Sequence, residues 1–129
     1  MNKAVIEELL PKAYDIIRHN SVICKNGKVD KAYRSQISSF GAAVSDGSLL
    51  SAIAFFSVKG QSPVERPELM ECIRKLIPEA ESSDSLFGYV ATQEASAVCK
   101  EQVLNAAISL KLAFNLFAQS EEQKPAGEG

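Results

Sequence analysis

Lys25, Lys28, Lys31 and Arg34 crowd into one polar loop and the first turn of the helix after it. Lys59, closing the next apolar segment, is an outlying fifth cation. Ammonium and guanidinium groups gathered in this way suit the phosphates of a nucleic-acid backbone. A guanidinium can also grip one phosphate through two parallel hydrogen bonds, which singles out Arg34. From Lys12 to Arg34 six Lys or Arg residues face only Asp15 and Asp30, a local charge of +4. From Ser35 onward seven basic residues face twelve acidic ones, a charge of −5. Such asymmetry describes one electropositive face on an acidic body. The residues alone leave a second reading open, in which the same side chains only solvate the entrance to a helical hairpin.

Other chemistry finds little to stand on. His19 is the single histidine, so sites and motifs that need two histidines are excluded. Cys24 lies near it in sequence, but no orienting acid accompanies the pair, as an activated thiol would require. There is no GxGxxG, phosphate-binding GK[ST], SxxK or calcium-loop pattern. Glu65, Glu68, Glu71, Glu79, Glu81 and Asp84 gather without a defined pair spacing and read as a solvated face and loop. The expectation is a protein without enzymatic activity, metal or cofactor.

Composition sets the class. A chain of 129 residues makes one domain, large enough to bury roughly two thirds of the surface its unfolded form exposes. Hydrophobic residues at 46% and charged residues at 23% are ordinary for a globular protein. The net charge of −2 argues against a generally basic nucleic-acid coat. Cys24, Cys72 and Cys99 are odd in number and widely spaced, which fits free thiols in a reducing cytoplasm. The first residues lack a signal-peptide core and cleavage site. The apolar stretch 103–118 is interrupted by Asn105, Ser109, Lys111 and Asn115, so a buried helix is expected there and no membrane contact.

The elements that must carry these residues read as helices throughout, and no run reads as a strand. A first helix is expected from about Lys3 to His19, with a kink near Pro11. Asn26-Gly27 marks a turn in the polar loop, and Asp30 is a good N-cap for the second helix. Tyr33, Ile37, Phe40 and Val44 then recur on one helical face. Gly41, in mid-helix, implies close approach of another helix. Asp46-Gly47 turns the chain, and Leu49 to Val58 runs apolar nearly all round, which predicts a helix enclosed by protein.

Pro67 starts a fourth helix and Pro78 ends it. An acidic loop, Glu79 to Ser85, precedes a short helix through Leu86-Phe87 to Val90. Thr92 is expected to cap a long last helix from Gln93 to about Gln119. One of its stripes runs through Ala95, Cys99, Gln102, Ala106, Leu110, Ala113 and Phe117, another through Leu104, Ile108, Leu112 and Leu116. The fold expected is all-α, a single helical domain over residues 1–119 with five or six helices. A central αα-hairpin and the long last helix form its heart, with Ile53 among the most buried residues. Residues 120–129 are polar and predict a disordered tail.

The string Ala32-Tyr33-Arg34-Ser35, Ile37, Phe40, Val44, Asp46-Gly47, Leu49-Leu50, Ala52-Ile53-Ala54-Phe55 and Lys59-Gly60 resembles the small subunit of type III-B CRISPR RNA-targeting effector complexes. Glu94-Ala95 and Leu110-Lys111 are similar to that family's final helix. The resemblance implies a non-catalytic subunit in antiviral defence. Copies of it would stack along the guide RNA–target RNA duplex and support the larger subunits that hold the guide and cut. It also matches Arg34 to the basic residue that follows Tyr in the family string. The implied partners are other effector subunits, further copies of this chain, and RNA.

A subunit repeated along a duplex must use two different surfaces for its own neighbours, and the acidic loop and basic segment are opposite in sign. The other class open to these residues is a helical adaptor or scaffold that binds only proteins.

Overall fold

Asn2 opens the first helix by accepting hydrogen bonds at its side-chain oxygen from the N–H groups of Ala4 and Val5, at 3.1 and 3.2 Å. A computed structural model describes residues 2–94 and 96–120. The helix it starts, α1 (Lys3–Arg18), continues through Pro11 and buries Ile6, Leu9, Ala13 and Ile17. Asn20 then ties down the loop, accepting from the N–H groups of Val22 and Ile23.

The loop is where helix-only expectations fail. Cys24–Lys25 (β1) and Lys28–Asp30 (β2) pair antiparallel across Asn26-Gly27. Both turn residues have positive φ, +56° and +76°, the left-handed geometry a two-residue hairpin demands. A third strand, β3 (Ala118–Ser120), lies parallel to β2 and sets Val29 opposite Gln119. Strands this short have no readable periodicity, and β3 owes its place to a partner some ninety residues away in the chain. Ser120, expected in the tail, therefore belongs to the sheet; the rest of that tail, residues 121–129, lies outside the described residues.

Asp30 caps α2 (Lys31–Asp46), its carboxylate accepting from the Ala32 N–H at 2.8 Å. The four buried side chains of α2 are Tyr33, Ile37, Phe40 and Val44, the face its spacing predicts. Gly41, however, marks no close approach, since a Cβ there would meet nothing within 4 Å. Ser48 caps α3 (Leu49–Phe56), which packs on α2 as the expected αα-hairpin. This helix is shorter and less enclosed than its composition implies. Leu49, Ala52, Ile53 and Phe56 are buried, whereas Phe55 and Val58 face outward.

The enclosed helix is α4 (Arg66–Lys75), of whose ten residues only Lys75 is exposed. It contacts α1, α2, α3 and two later helices, α5 (Leu86–Thr92) and α6 (Ala97–Phe114). It ends before Pro78, which instead opens a short 3-10 turn, Pro78–Ala80. The last helix starts later than expected. Thr92 sits in α5, its hydroxyl donating back to the Tyr89 carbonyl at 2.7 Å, and Glu94 breaks the helix with φ +56°. Ser96 caps α6 instead, accepting from the Cys99 N–H.

Of the first stripe, Cys99, Ala106, Leu110 and Ala113 are buried, and Ala95 lies outside the described residues. The second stripe is only partly covered, with Leu112 and Leu116 exposed. The whole is a helical bundle with a small sheet at one edge. Among the described residues, no helix is long and apolar enough to cross a membrane.

Ile53 is fully buried in the shared core. Ile53→Ala is expected to cost about 2–5 kcal/mol, through lost transfer energy and the cavity left behind. Urea denaturation measures it; a loss below about 0.5 kcal/mol would place Ile53 with ordinary surface positions.

The acidic loop is organised from within. Arg74 donates to the carbonyls of Ala80, Glu81 and Ser83 at 3.1–3.2 Å and pairs with the Glu71 carboxylate. The Arg74 hydrogen bond holds the Glu71 carboxyl below its ordinary pKa of 4.5, outweighing the opposing effect of burial. A depressed folded pKa stabilises above the unfolded value and loses that stability as pH falls through the folded one. Acid unfolding of the native protein is therefore expected to steepen below pH 4.5. An Arg74→Met variant should flatten that limb; an unchanged acid limb would remove this pair from it.

Candidate nucleic-acid interface

Lys25, Lys28, Lys31 and Arg34 are carried by the β1–β2 hairpin and the start of α2. Lys25 and Lys28 are direct cross-strand partners on either side of the Asn26-Gly27 turn. Like charges set opposite each other destabilise a strand pair. Lys31 is the first residue of α2 and Arg34 stands one turn further, with no acidic residue in that first turn. Cations at a helix N-terminus oppose the helix dipole. All four side chains are exposed, and among the described residues none of them makes an ion pair. A fold that needed only solubility there would gain from an acid at any of these positions. An incoming anion would relieve the repulsion between Lys25 and Lys28, while the Asp30 carboxylate already sits at the start of α2.

The surface around them is concave. One depression, of about 440 Å³, is lined by Lys25, Lys28 and Lys59 together with Tyr33, Glu65 and Ser120. A second, of about 740 Å³, is lined by Lys31, Arg34, Ser35, Gln119 and Lys111. Asp30 and Pro63 border both, so the two adjoin. Consecutive β3 residues serve opposite sides, Gln119 lining one and Ser120 the other, as strand alternation requires. All five predicted cations therefore line these two adjoining depressions.

Lys59 differs from the rest. Its Nζ lies 2.9 Å from a Glu65 carboxylate oxygen, with both side chains about half exposed, so part of its charge is already balanced. Lys111, in the last turn of α6, is a sixth cation that sequence spacing did not bring to this face. Its only signal was that it interrupts a run of apolar residues in a helix covered along most of its length. The nearby carboxylates are Asp30, already capping α2, and Glu65.

Tyr33 belongs to the core and offers no platform for an unpaired base. It is buried, its hydroxyl accepts from the Glu65 N–H at 3.3 Å, and its ring lies 6.4 Å from that of Phe114. Burial, with Glu65, Glu68 and Asp30 nearby, raises its pKa above 10.0.

Nothing comparable gathers around the thiols. Burial pushes the Cys72 thiol up to about 12 and raises Cys99 as well. The His19 Nδ1 lies 2.9 Å from the Asp15 carbonyl oxygen of its own helix. Among the described residues, no three His, Cys, Asp or Glu side chains come together as a metal-binding group. What the two depressions offer is a cation-lined surface that Asp30 borders on both sides. The chain matches no protein-family profile, no curated protein and no solved structure.

Proposed function

We propose that this chain is a non-catalytic small subunit of a type III-B CRISPR RNA-guided effector complex, contacting the RNA backbone in antiviral defence in the cytoplasm. The observation that carries the RNA contact is the gathering of Lys25, Lys28 and Lys59 along one depression and of Lys31, Arg34 and Lys111 along the depression that adjoins it. Lys25 and Lys28 stand opposite each other across the strand pair, where their like charges repel. Backbone contacts of this kind hold a strand in place and carry no sequence information, as a subunit lining a guide–target duplex requires. The identity of the complex rests on the resemblance in the Ala32–Gly60 string and in Glu94-Ala95 and Leu110-Lys111. The test is affinity purification of the tagged protein from its native cell. The expected result is an RNA-containing assembly with larger subunits.

A second reading, a helical adaptor that binds only proteins, draws on the outward-facing Phe55, Val58 and Val98. Protein partners without RNA in the same purification would favour it.

A further inference from the structure

Phe55, in the last turn of α3, holds its ring in the open. It is 64% exposed, and among the described residues the only other exposed aromatic is Phe87, at 42%. The ring is nevertheless fixed in place. Arg66, itself buried, sets its guanidinium carbon 4.6 Å from the Phe55 ring centroid and 4.9 Å from that of Phe56. The same group donates through Nη2 to the carbonyls of Phe55 and Val58, at 3.2 and 2.8 Å, and so holds the backbone that carries the ring. The Phe56 ring meets Phe55 edge-on, at 5.5 Å and 71°. One face of Phe55 is backed by a cation, and the opposite face is left to solvent. A side chain ordered before binding loses little entropy when it is covered.

The position of the ring says what would cover it. Val58 directly precedes Lys59, and Arg66 directly follows Glu65. Lys59 and Glu65 both line the depression that holds Lys25 and Lys28. The two residues that anchor the ring are thus each one residue from the rim of that depression. An aromatic face carries partial negative charge, which disfavours an anionic strand. A cation behind the ring offsets that charge. A purely apolar partner would draw no advantage from this arrangement, whereas a base on a phosphate backbone does. Phe87 lacks it: it follows the acidic loop, and among the described residues no cation lies over its ring.

We infer that Phe55 is a stacking platform for an unpaired RNA base, beside the depression whose lysines take the backbone. This rests on the RNA contact proposed above and adds that the strand is unpaired where it passes the α3–α4 corner. Stacking of this kind tolerates any sequence, because every base has a π-face.

The test is binding of the full chain, at low ionic strength, to a labelled oligouridylate of about 12 nucleotides. Phe55→Ala and Phe55→Leu should each weaken binding by about five- to a hundredfold. Neither removes a charge, so the salt slope should stay as in the wild type, whereas Lys25→Ala combined with Lys28→Ala should lower it. Phe87→Ala should change nothing. Phe55→Trp gives the chain its only tryptophan. Its emission should fall when the single strand is added and hold steady when the same strand is paired with oligoadenylate. Tight binding by Phe55→Leu, or tryptophan emission blind to the single strand, would overturn the platform and leave the backbone contact standing on the lysine variants. A wild-type chain that binds no single strand would also overturn it, with the backbone contact then read on the purified assembly. Loss of a protein from that assembly in Phe55→Leu, with RNA binding unchanged, would assign the corner to a protein partner instead.

Discussion

Phe40→Ala is expected to destabilise the protein by about 3–5 kcal/mol, the range for emptying a core aromatic site. Phe40 is fully buried at the centre of the α2 face, and its ring meets that of Phe56 edge-on at 5.3 Å and 75°. Two losses combine: the transfer energy of a large side chain and the edge-to-face contact, itself worth about 0.5–1.5 kcal/mol. The cavity would open between α2 and α3, where the neighbouring backbone is held by helix caps and cannot easily collapse. Equilibrium denaturation with unchanged m-value is the measurement. A loss under about 1 kcal/mol would mean that the hairpin does not form the core described above.

The helical character of the chain was legible because its apolar spacing is strong where burial is strong. Tyr33, Ile37, Phe40 and Val44 are separated by helical intervals and are the buried face of α2. Asp30 was legible as a cap for the same reason, since an acidic side chain before an amphipathic run has one favoured use. Errors arose where tertiary context decides. Leu49 to Val58 looked like the enclosed helix, but composition cannot tell burial within the chain from an apolar corner facing outward. The enclosed helix is α4, whose Glu68 and Glu71 read as part of a solvated face; its Arg66 is buried against the end of α3. The start of α6 was misplaced because Thr92 and Ser96 are both competent caps, and only the left-handed Glu94 between them decides.

The candidate site divides in the same way. Lys25, Lys28, Lys31 and Arg34 are near one another in sequence, so any compact fold keeps them together. Lys59 and Lys111 arrive from α3's end and from α6, and only tertiary packing sets them beside the first four. The Asn26-Gly27 turn was visible, whereas the strands flanking it were too short to show alternation.

The most direct test of the central claim is RNA retention by the assembly purified through this chain, compared across a salt series for wild type and a variant with Lys25, Lys28, Lys31 and Arg34 all changed to Ala. Each lost phosphate contact makes log K less steep in log[salt] by about 0.7–0.9 units. With all four engaged, the variant slope should fall by about 3 units, with the complex still assembled. An assembly that forms normally and keeps the wild-type slope, or one that carries no RNA at all, would contradict it.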